Sequence, residues 1–107
     1  MGLLRRAKRR SGTTRRATPT DLDHLREFAR SRPGVEAFVE PRTAVTETTV
    51  MLVAADGEWT RRRVGGPEGA EAFAKKHDLP LYDVAIVGYP QRMREYNERR
   101  KAAERNG

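Results

Sequence analysis

The spacing of apolar residues changes several times along this chain, and each change marks an element. Leu22, Leu25, Phe28 and Ala29 share one face at helical spacing. Thr20, followed by Asp21 and Asp23, predicts the start of that helix, a hydroxyl cap with acids in the first turn, and Arg32-Pro33-Gly34 predicts an end near Ser31. From Val35 to Glu40 the period drops to two, with Val35, Ala37 and Val39 alternating with Glu36, Phe38 and Glu40, the pattern of a short strand closed by Pro41. A second strand is predicted from Glu47 to Ala55 and a third from Glu58 to Val64, joined by Asp56-Gly57, the dipeptide of a two-residue type I′ hairpin. Such a turn places Ala55 opposite Glu58, Ala54 opposite Trp59, Leu52 opposite Arg61 and Val50 opposite Arg63.

Gly65 and Gly66 loosen the chain, and Pro67 suits the first turn of a second helix whose inward stripe is Ala70, Phe73, Ala74 and His77, ending at Asp78 to Pro80. Leu81 to Gly88 holds the run Val84-Ala85-Ile86-Val87, best read as a fourth strand, although periodicity alone does not separate it from a short helix. Pro90 opens a last helix with Tyr89, Met93 and Tyr96 apolar and nearly everything after Asn97 charged, so its far end is expected to fray. The order α-β-β-β-α-β-α predicts an α+β fold: a single small domain with an antiparallel three- to four-stranded sheet and packed helices.

Composition narrows the class. The chain has 107 residues and no cysteine, which excludes disulfides, thiolate metal sites and cysteine nucleophiles. Uncharged runs reach only about eight residues, far below the roughly 20 a spanning helix needs, and Met1, Leu3 and Leu4 are too few for the apolar region of a secretory signal. A cytoplasmic setting is expected. Arginine far outnumbers lysine, a bias associated with GC-rich bacterial genomes.

Charge adds the feature that the apolar pattern misses. The net charge of +7 resides in the first 20 residues, where Arg5, Arg6, Lys8, Arg9, Arg10, Arg15 and Arg16 stand without an acid. The remaining 15 Lys and Arg balance all 15 Asp and Glu. Residues 1–19 are expected to be a disordered Arg-rich leader, residues 20–97 the α+β domain, and residues 98–107 the fraying end of the last helix. Residues 91–107 carry a net +3 and residues 21–90 a net −3, so the last helix and the body should attract one another.

Candidate chemistry is sparse. His24 and His77 lack zinc-protease spacing; His77 at a helix C-terminus beside Phe73 is accounted for by the helix dipole and packing. Ser11 and Ser31 belong to no triad motif. Gly65-Gly66-Pro67-Glu68-Gly69 lacks the Gly-Lys-Ser/Thr ending of a phosphate loop, and Glu68 would repel phosphate, so it reads as a turn and helix start. Trp59, Arg61 and Arg63 share one sheet face, with Arg62 on the other, an arrangement suited to stacking a base and holding phosphates. The competing account makes Trp59 core against Val50 or Leu52, with the arginines lying over it. Tyr82, Tyr89 and Tyr96 with Arg92 and Arg94 form a second aromatic and basic group, best explained as a docked helix with a solvated face.

Thr20 to His77, in the order α-β-β-β-α, resembles the double-stranded-RNA-binding domain, with Pro67, Glu68 and Glu71 where that family's lysine-rich helix start should fall. Thr48 to Lys76 resembles the three-stranded-sheet-plus-helix modules of some plant transcription factors and integrase arm domains, which read DNA with sheet arginines and tryptophan. Thr48 to Asn97, with Gly57-Glu58-Trp59-Thr60-Arg61-Arg62-Arg63 and Val87-Gly88-Tyr89-Pro90-Gln91-Arg92-Met93-Arg94, resembles a group of small actinobacterial proteins, a resemblance that implies no activity. The expectation is a non-enzymatic nucleic-acid-associated protein, binding RNA or a ribonucleoprotein rather than reading a DNA sequence. The leader cations, Trp59, Arg61 and Arg63 are its expected contacts, and it needs no metal or small-molecule cofactor. The alternative is an adaptor or accessory subunit of a larger protein complex, its leader meeting an acidic surface or membrane headgroups.

Overall fold

The computed structural model describes residues 17–106. Helix α1 (Pro19–Ser31) is followed by strands β1 (Glu36–Glu40), β2 (Thr49–Val53) and β3 (Trp59–Arg63), helix α2 (Gly66–Lys76), strand β4 (Leu81–Asp83), a single helical turn α3 (Val84–Val87) and helix α4 (Gln91–Asn106). The fold is α+β in the expected element order, on a four-stranded sheet ordered β3-β2-β1-β4. The cap of α1 lies two residues before the predicted one. Thr18, not Thr20, accepts from the Asp21 amide, while the Asp21 carboxylate accepts from the Thr18 amide, a reciprocal capping box with Pro19 in the first turn.

β2 explains why the sheet has helices on both sides. Its residues Val50 to Val53 are all buried, so both of its faces are covered. Val50 and Leu52 join Ala37, Leu25 and Phe28 of α1, and Ala70 and Phe73 of α2 in the larger core. Met51 and Val53 face the other way and meet Phe38, Met93 of α4 and part of Trp59. The predicted inward stripe of α2 is buried at Ala70, Phe73 and Ala74, and the His77 ring lies 4.5 Å from that of Phe73.

Two expectations are corrected. The hairpin is not a two-residue type I′ turn. The Gly57 amide donates to the Ala54 carbonyl and the Ala54 amide to the Glu58 carbonyl, and only Gly57, at φ +95°, takes a positive φ within the turn. This is a three-residue loop with glycine in the left-handed position. The register therefore slips by one: Val53 faces Trp59, Leu52 faces Thr60, Met51 faces Arg61, Val50 faces Arg62 and Thr49 faces Arg63. The fourth strand is also shorter than expected. β4 ends at Asp83 and pairs in parallel with β1, which makes the sheet mixed. Val84–Val87 coils into α3 because the Asp83 carboxylate accepts from the Ala85 amide and starts a turn that Gly88 closes. α4 is helical through to Asn106.

Candidate nucleic-acid interface

The sheet face bearing Trp59 and Arg61 is the one under α4. The one-residue register slip sets Trp59 across from Val53 and Arg61 across from Met51, so Trp59 packs with Phe38, Met51, Val53 and Met93. It does not meet Val50 or Leu52, which line the opposite face. Its indole N–H donates to Asn97 Oδ1 at 2.9 Å, fixing the ring beneath α4. The part left exposed opens on a shallow groove shared with Asn97, Lys101 and the ion-paired Arg100 and Glu104.

Arg61 is held from both sides. Its guanidinium lies 5.1 Å from the Trp59 ring centroid and makes a two-pronged ion pair with Glu40, Nε to Oε1 at 2.7 Å and an Nη to Oε2 at 2.8 Å. The same carboxylate accepts from the Thr49 hydroxyl at 2.6 Å and the Tyr89 hydroxyl at 2.5 Å. Burial alone would push the Glu40 carboxyl up, but hydrogen bonds from Arg61, Thr49 and Tyr89 outweigh it and hold the group below its ordinary value. The Glu40 carboxylate in turn raises the Arg61 and Tyr89 pKa values. Arg62, on the other face, stands 3.7 Å from Asp21. Arg63 is exposed at the end of the edge strand and has no ion pair among the described residues.

The opposite-charge expectation for α4 has a structural counterpart. Arg92 donates to the Ala54 carbonyl at 2.9 Å and to Glu36 at 2.7 Å, and Arg99 donates to the Asp56 carbonyl at 2.8 Å. Of the second aromatic and basic group, Arg92 thus reaches inward to the hairpin, while the Arg94 guanidinium turns back to the Tyr89 carbonyl. Phe38 and Tyr82 pack with ring centroids 5.4 Å apart.

Neither histidine has an acidic partner of catalytic type. His24 Nε2 lies 2.6 Å from Thr60 Oγ1, and burial together with Arg62 and Arg32 lowers its pKa. Burial and nearby Lys76 and Arg26 lower that of His77. Among the described residues no group of three or more His, Asp or Glu stands close enough to hold a metal ion, and no helix is long and apolar enough to cross a membrane. The structure brings Trp59 and Arg61 together and leaves Arg63 beyond them. The leader residues Arg5, Arg6, Lys8, Arg9, Arg10, Arg15 and Arg16 lie outside the described residues.

Sequence reasoning missed Glu40, Thr49, Tyr89 and Asn97 as the residues that fix this surface. The signal for Glu40 was its place on the same strand face as Phe38, a carboxylate beside a buried aromatic. Asn97, 38 residues from Trp59, had none. Compared with family models, curated proteins and solved structures, the chain shows no match. The shared element order with double-stranded-RNA-binding domains therefore carries no functional argument by itself.

Proposed function

We propose that the protein is a non-enzymatic nucleic-acid-associated protein that holds RNA or a ribonucleoprotein through its cationic leader. One observation carries this reading: seven cations without an acid in the first 20 residues, on a body whose 15 cations and 15 acids cancel. Arrays of this kind gain affinity for polyanions by releasing condensed counterions, with little regard for sequence. Arg61 spends its charge on Glu40 and Trp59 spends its N–H on Asn97. That leaves Arg63 as the strand's cation best placed to add a phosphate contact, with the exposed part of Trp59 beside Lys101 and the Arg100–Glu104 pair as a secondary stacking surface.

The test compares the full chain with a full-length variant in which Arg5, Arg6, Lys8, Arg9, Arg10, Arg15 and Arg16 become serine, titrated against polyuridylate and an RNA duplex over a range of salt. The wild type should weaken steeply with salt, its log–log slope approaching about −0.9 per contacted duplex phosphate and less on the single strand. The variant should bind weakly and with a shallow slope. Equal affinities at low salt would overturn the reading.

A further inference from the structure

Past Asn97 the last helix buries no side chain. Met93 is the one buried residue of α4, and the Trp59 indole meets the helix at Asn97. The next positions of that stripe at helical spacing are Arg100 and Glu104, which pair with each other at 3.6 Å through side chains 62% and 69% exposed. The helix nevertheless continues to Asn106. Its last turns are built from Arg, Lys, Ala and Glu, residues that favour a helix by intrinsic preference. The overhang therefore keeps its shape without packing.

The charges of α4 sort by flank. Residues 91–106 carry six cations and three acids. Arg92 pairs with Glu36, Arg99 donates to the Asp56 carbonyl and Arg100 is held by Glu104. The remaining cations, Arg94, Lys101 and Arg105, lie within about 40° of one another around the helix axis, over a rise of roughly 16 Å. All three are exposed, and none has an ion pair among the described residues. Arg94 is oriented by the Tyr89 carbonyl and Gln91 Oε1, neither of which neutralises it. Glu98 is the one acid of the helix on this flank, and Glu95 stands about 80° or more away from each of the three cations. Acids of neighbouring elements are matched or face elsewhere. Glu40, near the foot of the stripe through Tyr89, is paired with Arg61. Asp56 and Glu58 of the hairpin belong to the opposite flank, toward Arg99 and Arg100, and Glu58 is paired with Arg32.

A straight row of fixed cations suits a polyanion whose own charges are fixed. We propose that the exposed flank of α4 formed by Arg94, Lys101 and Arg105 binds backbone phosphates of duplex RNA, so that the protein favours double-stranded segments over single strands. The inference rests on the nucleic-acid reading above and adds to it a second contact, one that discriminates between forms of RNA. Duplex RNA is recognised largely by shape and backbone, because its phosphates and 2′-hydroxyls stand in regular rows along the grooves. A single strand has to be ordered before it can match a rigid row, and that ordering lowers its affinity. Counterion release by the leader's cations draws little such distinction. The preference therefore belongs to the helix.

The experiment titrates the full chain and a full-length Arg94→Gln, Lys101→Gln, Arg105→Gln variant against an RNA duplex, polyuridylate and polyglutamate over a range of salt. Circular dichroism and the thermal midpoint are read in parallel. Glutamine keeps the helix preference and none of the three residues is buried, so helix content and midpoint should match the wild type. The variant should bind the duplex about tenfold or more weakly at low salt, with a log–log slope shallower by about 0.9 for each lost phosphate contact, and should bind polyuridylate within about twofold of the wild type. Glu98→Gln, which removes the acid from the same flank, should strengthen duplex binding. Duplex affinity and slope unchanged by the three substitutions would overturn the proposal. An equal loss on polyuridylate would do the same, since the flank would then be an unselective cationic patch. So would flank-dependent binding of polyglutamate as tight as that of the duplex, because an acidic protein surface would then be the partner. The two readings fail separately. Duplex binding that survives the leader substitutions but not those on the helix removes the leader's role and leaves this one, and the reverse pattern removes this one alone.

Discussion

Glu40 concentrates more hydrogen bonds than any residue the sequence marked as functional. Its carboxylate, with the side chain 13% exposed, accepts two bonds from Arg61 and one each from Thr49 and Tyr89. Because these partners hold its folded pKa below the ordinary 4.5, the stability it contributes is present above that value and is lost as pH falls through the folded one. Glu40→Gln should cost about 1–2 kcal/mol at neutral pH, the scale of a charged hydrogen bond on a partly exposed partner. It should also flatten stability against pH through the carboxylate range in urea titrations. His24 has the opposite dependence on its charged form. Its folded pKa lies below 6.5, so stability is complete above 6.5 and declines on acidification, as the unfolded chain takes up the proton first. His24→Gln should lessen that decline and leave the share that His77, also held below 6.5, contributes with the same sign, read from thermal midpoints on either side of pH 6.5.

At the scale of elements, the hairpin and α4 are fitted to each other. A Cβ on Gly57 would run into the Arg92 carbonyl oxygen, and its φ of +95° is itself unfavourable for a side chain. Gly57→Ala should therefore cost about 2 kcal/mol or more in chemical denaturation, above the usual strain of a left-handed position. Met93, the one buried residue of α4, anchors the helix over Phe38 and Met51. Met93→Ala should cost about 2–4 kcal/mol and shift Trp59 emission to the red as the indole loses its cover. The apolar run of β2, the stripe of α2 and the end of α1 at Ser31 were legible because local sequence determines them, whereas its start was not, Thr18 and Thr20 both being hydroxyl caps within reach of an acid. The hairpin register was not, since Asp56-Gly57 serves a two-residue loop or a three-residue loop with glycine last. The choice falls to the Ala54–Glu58 pairing and to the helix lying on Gly57. Val84–Val87 misled because four apolar residues commonly mean a buried strand, whereas here they are surface. The site was legible as a composition of Trp59 and arginines, and illegible as a geometry, since Asn97 and Tyr89 reach it from 38 and 49 residues away.

At the scale of the molecule, a small core leaves little margin. The larger cluster depends on a few bulky side chains from α1, α2 and the sheet, in a domain whose total stability should be of the order of 5–15 kcal/mol. Phe73→Ala, removing a side chain 6% exposed in that cluster, should cost about 3–5 kcal/mol and bring the thermal midpoint down by many degrees. The two cores are unequal, and α4 belongs to the smaller one. It is tied to the sheet by Met93, the Trp59–Asn97 bond and the arginines on the hairpin carbonyls. Native-state hydrogen exchange should accordingly resolve two cooperative units. The amides of α4 should exchange through an opening that costs less than global unfolding, and those of β1 and β2 only when the whole molecule opens. In that partly open form Phe38, Met51 and Trp59 face water while the rest of the sheet stays folded, so the last helix acts as the removable cover of a ready-made apolar surface.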